Sequence, residues 1–203
     1  MFKKAHLFFL VFIITACAGT PTPVSTPSSA QIEIEEQAVY AALLRNLYTA
    51  SSYAIMSATA TGMTGVADTG TSLDRMLLDM HDLEQSTAEN FSARNVTTTP
   101  VSPDMELGAE YVLVSQEEMS QIFSQNRDGW VLFYERYPNT PGITTLSRVG
   151  FNEPLDQALV YIGTMSQWKA GVGYYVLLSK VNGSWLVEQQ VMTWISYSGK
   201  IPA

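Results

Sequence analysis

The chain has one cysteine, Cys17, and two histidines in 203 residues. A single cysteine excludes a disulfide framework and a cysteine-rich metal site. Beyond the first turn of sequence the only histidine is His81, so no H-E-x-x-H or related metal spacing exists. Charge is sparse at 15%, with 11 Lys+Arg against 19 Asp+Glu. That balance disfavours nucleic acid, which attracts basic patches. No run of about 20 uncharged apolar residues occurs, which excludes a multispan membrane protein. No period of about 20–50 residues repeats, so a solenoid is excluded as well. Apolar residues make up 46% of the chain, enough to offset the ordering entropy of a packed globule.

Catalytic patterns are equally scarce. G-x-S-x-G is absent. Ser166-Gln-Trp-Lys169 matches S-x-x-K, but its partners S-D-N and K-T-G are missing and it falls between two strand-like runs. Gly171-Val-Gly173 lacks the third glycine of a dinucleotide loop and leads into a strand, where it reads as a bulge or a close backbone approach. The calcium-loop pattern is absent, and no metal or cofactor is expected. Carboxylate pairs meet in space rather than in sequence, and nothing selects two of the 19 acids.

The amino terminus is the most informative stretch. Lys3 and Lys4 precede an unbroken apolar run, Leu7 to Ile14, which at about 1.5 Å per residue covers too little of a bilayer to span it. A positive start, a short apolar run and then small residues is the plan of a secretory signal peptide. Ile14-Thr15-Ala16-Cys17 resembles the lipobox of bacterial lipoproteins. The resemblance implies cleavage before Cys17, attachment of diacylglycerol to its thiol, and acylation of the freed amine. Two or more acyl chains hold a protein stably at a membrane. The expected address is therefore the bacterial cell envelope, extracytoplasmic and lipid-anchored to the membrane.

This divides the chain into a signal peptide (1–16), a lipid-anchored linker (17–31) and one globular domain (32–203). The linker, AGTPTPVSTPSSAQ after the cysteine, holds three prolines and reads as an extended tether of up to roughly 40 Å. Because residues 1–16 carry two lysines and no acid, the remainder has a formal charge of −10.

Within the domain, Val39, Leu43 and Leu47 recur at helical spacing over Glu33 to Tyr48. Glu33, Glu35 and Glu36 are expected near the positive end of the helix dipole and Arg45 at its negative end. Residues 52–60 read as a strand. Thr71 with Asp74, and Ser86 with Glu89, resemble helix-opening capping boxes, the first leading a stripe of Leu73, Leu77 and Met80. Tyr111 to Val114 reads as a buried strand, followed by a strong capping box at Ser115 and Glu118. Asp128 is placed to cap a helix whose stripe is Trp130, Phe133, Tyr134 and Tyr137, ended by Pro138. Four β-rich runs follow at 144–152, 157–163, 173–181 and 184–195, with Asn182-Gly183 as a type I′ hairpin turn and a turn at Asn152-Glu153-Pro154. Helices first and strands last predict an α+β fold, with N-terminal and central helices packed on a C-terminal four-stranded antiparallel meander.

The segments RVGFN (148–152), QALVY (157–161), GVGYYVLL (171–178) and MTWIS (192–196) resemble the tail of uncharacterised exported bacterial proteins, a resemblance that implies no activity. Nuclear-transport-factor-like domains also end in an antiparallel sheet, which makes their cone an architectural alternative.

Two surface features stand out as site candidates. Gly163 to Gly171 reads as a long connection holding Met165, Trp168 and Lys169, whose Trp168 either folds back onto the core or, with its neighbours, presents a contact surface to a partner. Alternation places Leu146, Arg148 and Gly150 on one strand face and Val149 and Phe151 on the other, so Arg148 either contacts an anion or lies on a solvated strand face. The expected role is a non-catalytic module binding an envelope protein or a small ligand. The rival reading is an envelope hydrolase whose carboxylates assemble only in three dimensions.

Overall fold

The computed structural model describes residues 27–47, 50–61, 78–167 and 170–196. The expectations that fall on Cys17, Trp168, Lys169, the Thr71–Asp74 cap and the 1–26 leader and tether lie outside the described residues. The fold is α+β. Helix α1 (Ser29–Leu47) leads into strand β1 (Ser52–Met56), and helix α2 (Gln85–Arg94) precedes strand β2 (Glu110–Val114). Helices α3 (Gln116–Phe123) and α4 (Gly129–Arg136) follow. Then come β3 (Ile143–Leu146), β4 (Gly150–Phe151), β5 (Gln157–Gln167), β6 (Ala170–Val181) and β7 (Ser184–Ser196).

The sheet is seven-stranded and mixed, in the order β2-β1-β3-β5-β6-β7, with β4 also paired to β5. The expected four-stranded meander is therefore too small. Strands β5, β6 and β7 do pair antiparallel in sequence order, but β1 lies parallel to both β2 and β3 and extends the sheet by two strands. Parallel neighbours are joined by crossovers carrying helices, and no turn signal in the chain marks such a pairing. Tyr111 to Val114 is likewise not a buried strand. As β2 it forms the sheet edge, and only Val114 is fully buried.

The first β-rich run is broken. Between the pairs Leu146↔Ile162 and Gly150↔Leu159, three residues stand opposite two, a bulge at 147–149. Asn95 holds the bulge open, its Oδ1 accepting from Arg148 N at 2.9 Å and its Nδ2 donating to Arg148 O at 3.0 Å. The extra residue reverses the alternation. Leu146, Val149 and Phe151, expected on opposite faces, thus share one core cluster, while Gly150 turns toward the backbone of Phe91 in α2 with no room for a side chain.

Ser86 and Glu89 do not form the expected capping box: α2 opens at Gln85 after Glu84 with no side-chain cap, and Ser86 Oγ donates to Glu84. Other signals that depend only on neighbours hold. Glu118 N donates to Ser115 Oγ at 3.1 Å, and Trp130 N to Asp128 Oδ1 at 2.9 Å. Asn182 and Gly183 adopt φ of 51° and 80°, as a type I′ turn requires. Trp130, Phe133 and Tyr137 are buried, and Tyr134 is half-buried with its hydroxyl donating to Ser166 O. Helix α1 starts at Ser29, inside the stretch assigned to the tether, so its acids sit beyond the first turn and not at the dipole. Glu35 instead pairs with Lys180 and accepts from Trp185 Nε1 at 2.8 Å.

The two sheet faces are covered differently. One is packed by α1, whose Val39, Tyr40, Leu43 and Leu44 meet Ile55, Leu146, Val160, Ile162, Val176 and Leu178. The opposite face carries two separate groups. Met80, Leu83, Ala88 and Phe91 cover Leu159, Tyr161, Tyr175 and Leu177, while α3 and α4 cover Ala54 and Ile143 with Ile122, Trp130 and Phe133. Between these groups the sheet is left open.

Candidate functional site

The uncovered strip of sheet is the floor of a cleft of about 670 Å³. Thr145, Tyr161, Gly163 and Met165 rise from β3 and β5, Trp194 closes one side, and Met56 and Met119 face it from β1 and α3. A second chamber of about 310 Å³ adjoins it toward α4, reaching Phe123 and Trp130. The two share Gln116, Met119, Ile143 and Met165. Among the described residues, no Asp, Glu, Lys, Arg or His lines either chamber. Volume and lining are those of a small-molecule site: mainly apolar and aromatic walls with a few polar groups.

The floor is shaped by three glycines. Trp194 lies across Gly171 and Gly173 and reaches Gly163. A Cβ on Gly171 would stand 3.0 Å from the indole ring, and one on Gly173 would stand 2.7 Å from its Cδ1. The indole therefore occupies space that any side chain at 173 would take. Its Nε1 donates to Tyr161 Oη at 2.8 Å, which holds the ring against β5. Burial raises the Tyr161 hydroxyl above its ordinary pKa, and the Trp194 donor partly opposes this. The phenol remains a neutral hydrogen-bonding group at physiological pH. The expected close approach at Gly171-Val-Gly173 is present, and a register shift follows Gly173.

Met165 of β5 stands on the wall shared by both chambers and is 44% exposed. It does not sit on a long connection. β5 runs to Gln167 and β6 starts at Ala170, paired Gln167↔Ala170, so Gly163 to Gly171 is mostly hairpin strand. Strand alternation here was masked in the sequence by glycine, serine and glutamine. Ser166, of the S-x-x-K match, donates its hydroxyl to Ala170 O at 3.2 Å. His81 is exposed in a turn.

Arg148 lies elsewhere. It borders a cavity of about 330 Å³ between α1 and the 99–105 segment, whose lining includes Glu33, Glu36 and Gln37. Its Nε donates to both oxygens of buried Glu36, at 2.8 and 3.0 Å. Glu36 also accepts from Arg94 Nη2 at 3.2 Å, Val149 N at 2.8 Å and Tyr40 Oη at 3.2 Å. The guanidinium expected to meet an anion thus holds a carboxylate of its own chain, and this hub ties α1 and α2 to the bulge. Burial, followed by the Glu36 charge, drives the Tyr40 pKa well up.

Sequence reasoning did not single out Trp194, Tyr161, Thr145, Met56 or Met119. For Trp194 a signal existed. The Asn182-Gly183 turn sets the β6–β7 register, and counting from it places Trp194 opposite Gly171, on the glycine face. Two single-residue register shifts on β7 then slide it to Gly173.

No family model, curated protein or solved structure matches the chain. No described helix is long and apolar enough to cross a membrane.

Proposed function

We propose that this chain is a lipoprotein of the bacterial cell envelope, anchored through Cys17, that works as a non-catalytic binding module and holds a small apolar ligand in the cleft beneath Trp194. The observation that carries the ligand reading is the cleft itself: a preformed apolar trough on one sheet face, between two helical groups. The phenol in its wall, Tyr161, is engaged by Trp194. General acid–base work needs a titratable group within reach of substrate, and the described lining offers none with a pKa near neutrality. The carboxylate-based alternative has its best-placed acid in Glu36, whose oxygens are already taken up by two arginines, a backbone amide and a phenol. The anchor reading rests on Ile14-Thr15-Ala16-Cys17 and the short apolar run before it.

Two measurements test the two halves. Cys17→Ser should abolish fatty-acid labelling and membrane retention in a bacterial host; label that persists overturns the anchor. An environment-sensitive apolar dye should bind the full chain and be excluded by Ala58→Trp, which adds bulk at an exposed position on the cleft wall. Dye binding that ignores this substitution overturns the cleft as the site.

A further inference from the structure

We propose that the ligand of this cleft is a single straight acyl chain carrying an uncharged, hydroxylated head, the chemistry of a monoacylglycerol. The inference rests on the reading of the cleft as a ligand site and adds the shape and polarity of the occupant.

Shape comes from the two chambers. Their shared wall of Gln116, Met119, Ile143 and Met165 makes them one elongated path, from Trp194 at one end to Phe123 and Trp130 at the other. Three methionines from three different elements, Met56, Met119 and Met165, line it. Unbranched thioether side chains adapt to a flexible chain better than to a rigid ring system. Polarity comes from where the hydrogen-bonding groups lie. The smaller chamber is lined mainly by Phe123, Trp130, Ile143, Met119 and Met165, with Gln116 and Ser120 at its α3 side. The larger one carries threonines: Thr98 is exposed at its rim, and Thr145 is half-buried on its floor. A chain would therefore lie with its tail toward Trp130 and its head at the threonines. Charge complementarity decides the head. In a chain with 19 acids, neither chamber has a charged lining residue among those described. An ionised head would be desolvated there without a partner, whereas hydroxyls find threonine and glutamine groups to bond.

The test titrates the full chain with a homologous series of monoacylglycerols, read by tryptophan fluorescence. Affinity should rise about fourfold for each added methylene, the factor for burying one CH₂, and then level off once both chambers are filled. Ser120→Trp adds bulk to the smaller chamber from the exposed side of α3 and should move the plateau to shorter chains, leaving the shortest ones unaffected. The ionised fatty acid of equal chain length should bind at least about tenfold more weakly. Three results each overturn this inference while leaving a small apolar ligand in place: no dependence on chain length, no response to Ser120→Trp, or equal binding of the ionised acid. Failure of every apolar compound to bind removes the cleft reading as well.

Discussion

Replacing Gly173 with alanine should distort the cleft and destabilise the fold, although the backbone there suits any residue. The added methyl would strike Trp194 Nε1 first and sit 2.7 Å from Cδ1 and 2.8 Å from Cε2, at least about 1 Å inside van der Waals contact. The indole must move by that amount, which breaks its 2.8 Å hydrogen bond to Tyr161. Loss of the bond costs about 1 kcal/mol and overpacking about 1–3 kcal/mol. Replacing a strand glycine returns about 0.5–1 kcal/mol. The expected net loss is about 2 kcal/mol, or about 1 M in urea midpoint at a slope of about 2 kcal/mol/M. A double-mutant cycle isolates the cause. In a Trp194→Ala background the same substitution should be neutral or slightly stabilising, because nothing remains for the methyl to strike. Equal cost in both backgrounds would refute the account of the glycine floor.

The Glu36 hub predicts a second loss. Glu36→Gln should destabilise by about 3 kcal/mol, since Arg94 and Arg148 would be left partly buried without their counter-charge. Chemical unfolding checks this, and a change below about 1 kcal/mol would mean that solvent screens the hub. Alkaline titration supplies the third. Burial raises the pKa of Tyr40, Tyr161 and Tyr175, and that of Tyr137 to about 12, above the ordinary value of 10.0. The folded state binds these protons more tightly than the unfolded chain. Stability should therefore be intact below about pH 10 and fall as pH rises through the folded-state values. Near-ultraviolet tyrosinate absorbance should show a late-titrating group that appears together with unfolding; one uniform transition near the ordinary value in the native protein would contradict it.

What could be read from the sequence was what neighbouring residues decide among themselves. Ser115 and Glu118 form a cap because they are three residues apart on a helix, and Asn182-Gly183 turns because both tolerate positive φ. The stripe of Trp130, Phe133 and Tyr137 was legible as core for the same reason: a helix keeps its period. The partner of Arg148 was not legible, because Glu36 lies 112 residues away and only the packing of α1 over the bulge brings it near.

The strand-rich half shows the same division more sharply. Its sequence determined that β5, β6 and β7 are strands and that a tight turn joins β6 to β7, whereas the long connection expected at 163–171 is mostly strand. It did not determine which side chains share a face, because alternation survives only while no residue is added. The extra residue at 147–149 reverses the alternation and puts Phe151 on the core face with Leu146, while two shifts along β7 cancel in facing and slide Trp194 from opposite Gly171 to opposite Gly173. Such insertions are decided by long-range contacts, such as Asn95 on the backbone of Arg148 and Trp194 on Tyr161. Strand identity is a local property of the chain, but the cleft exists only through the register that tertiary packing selects.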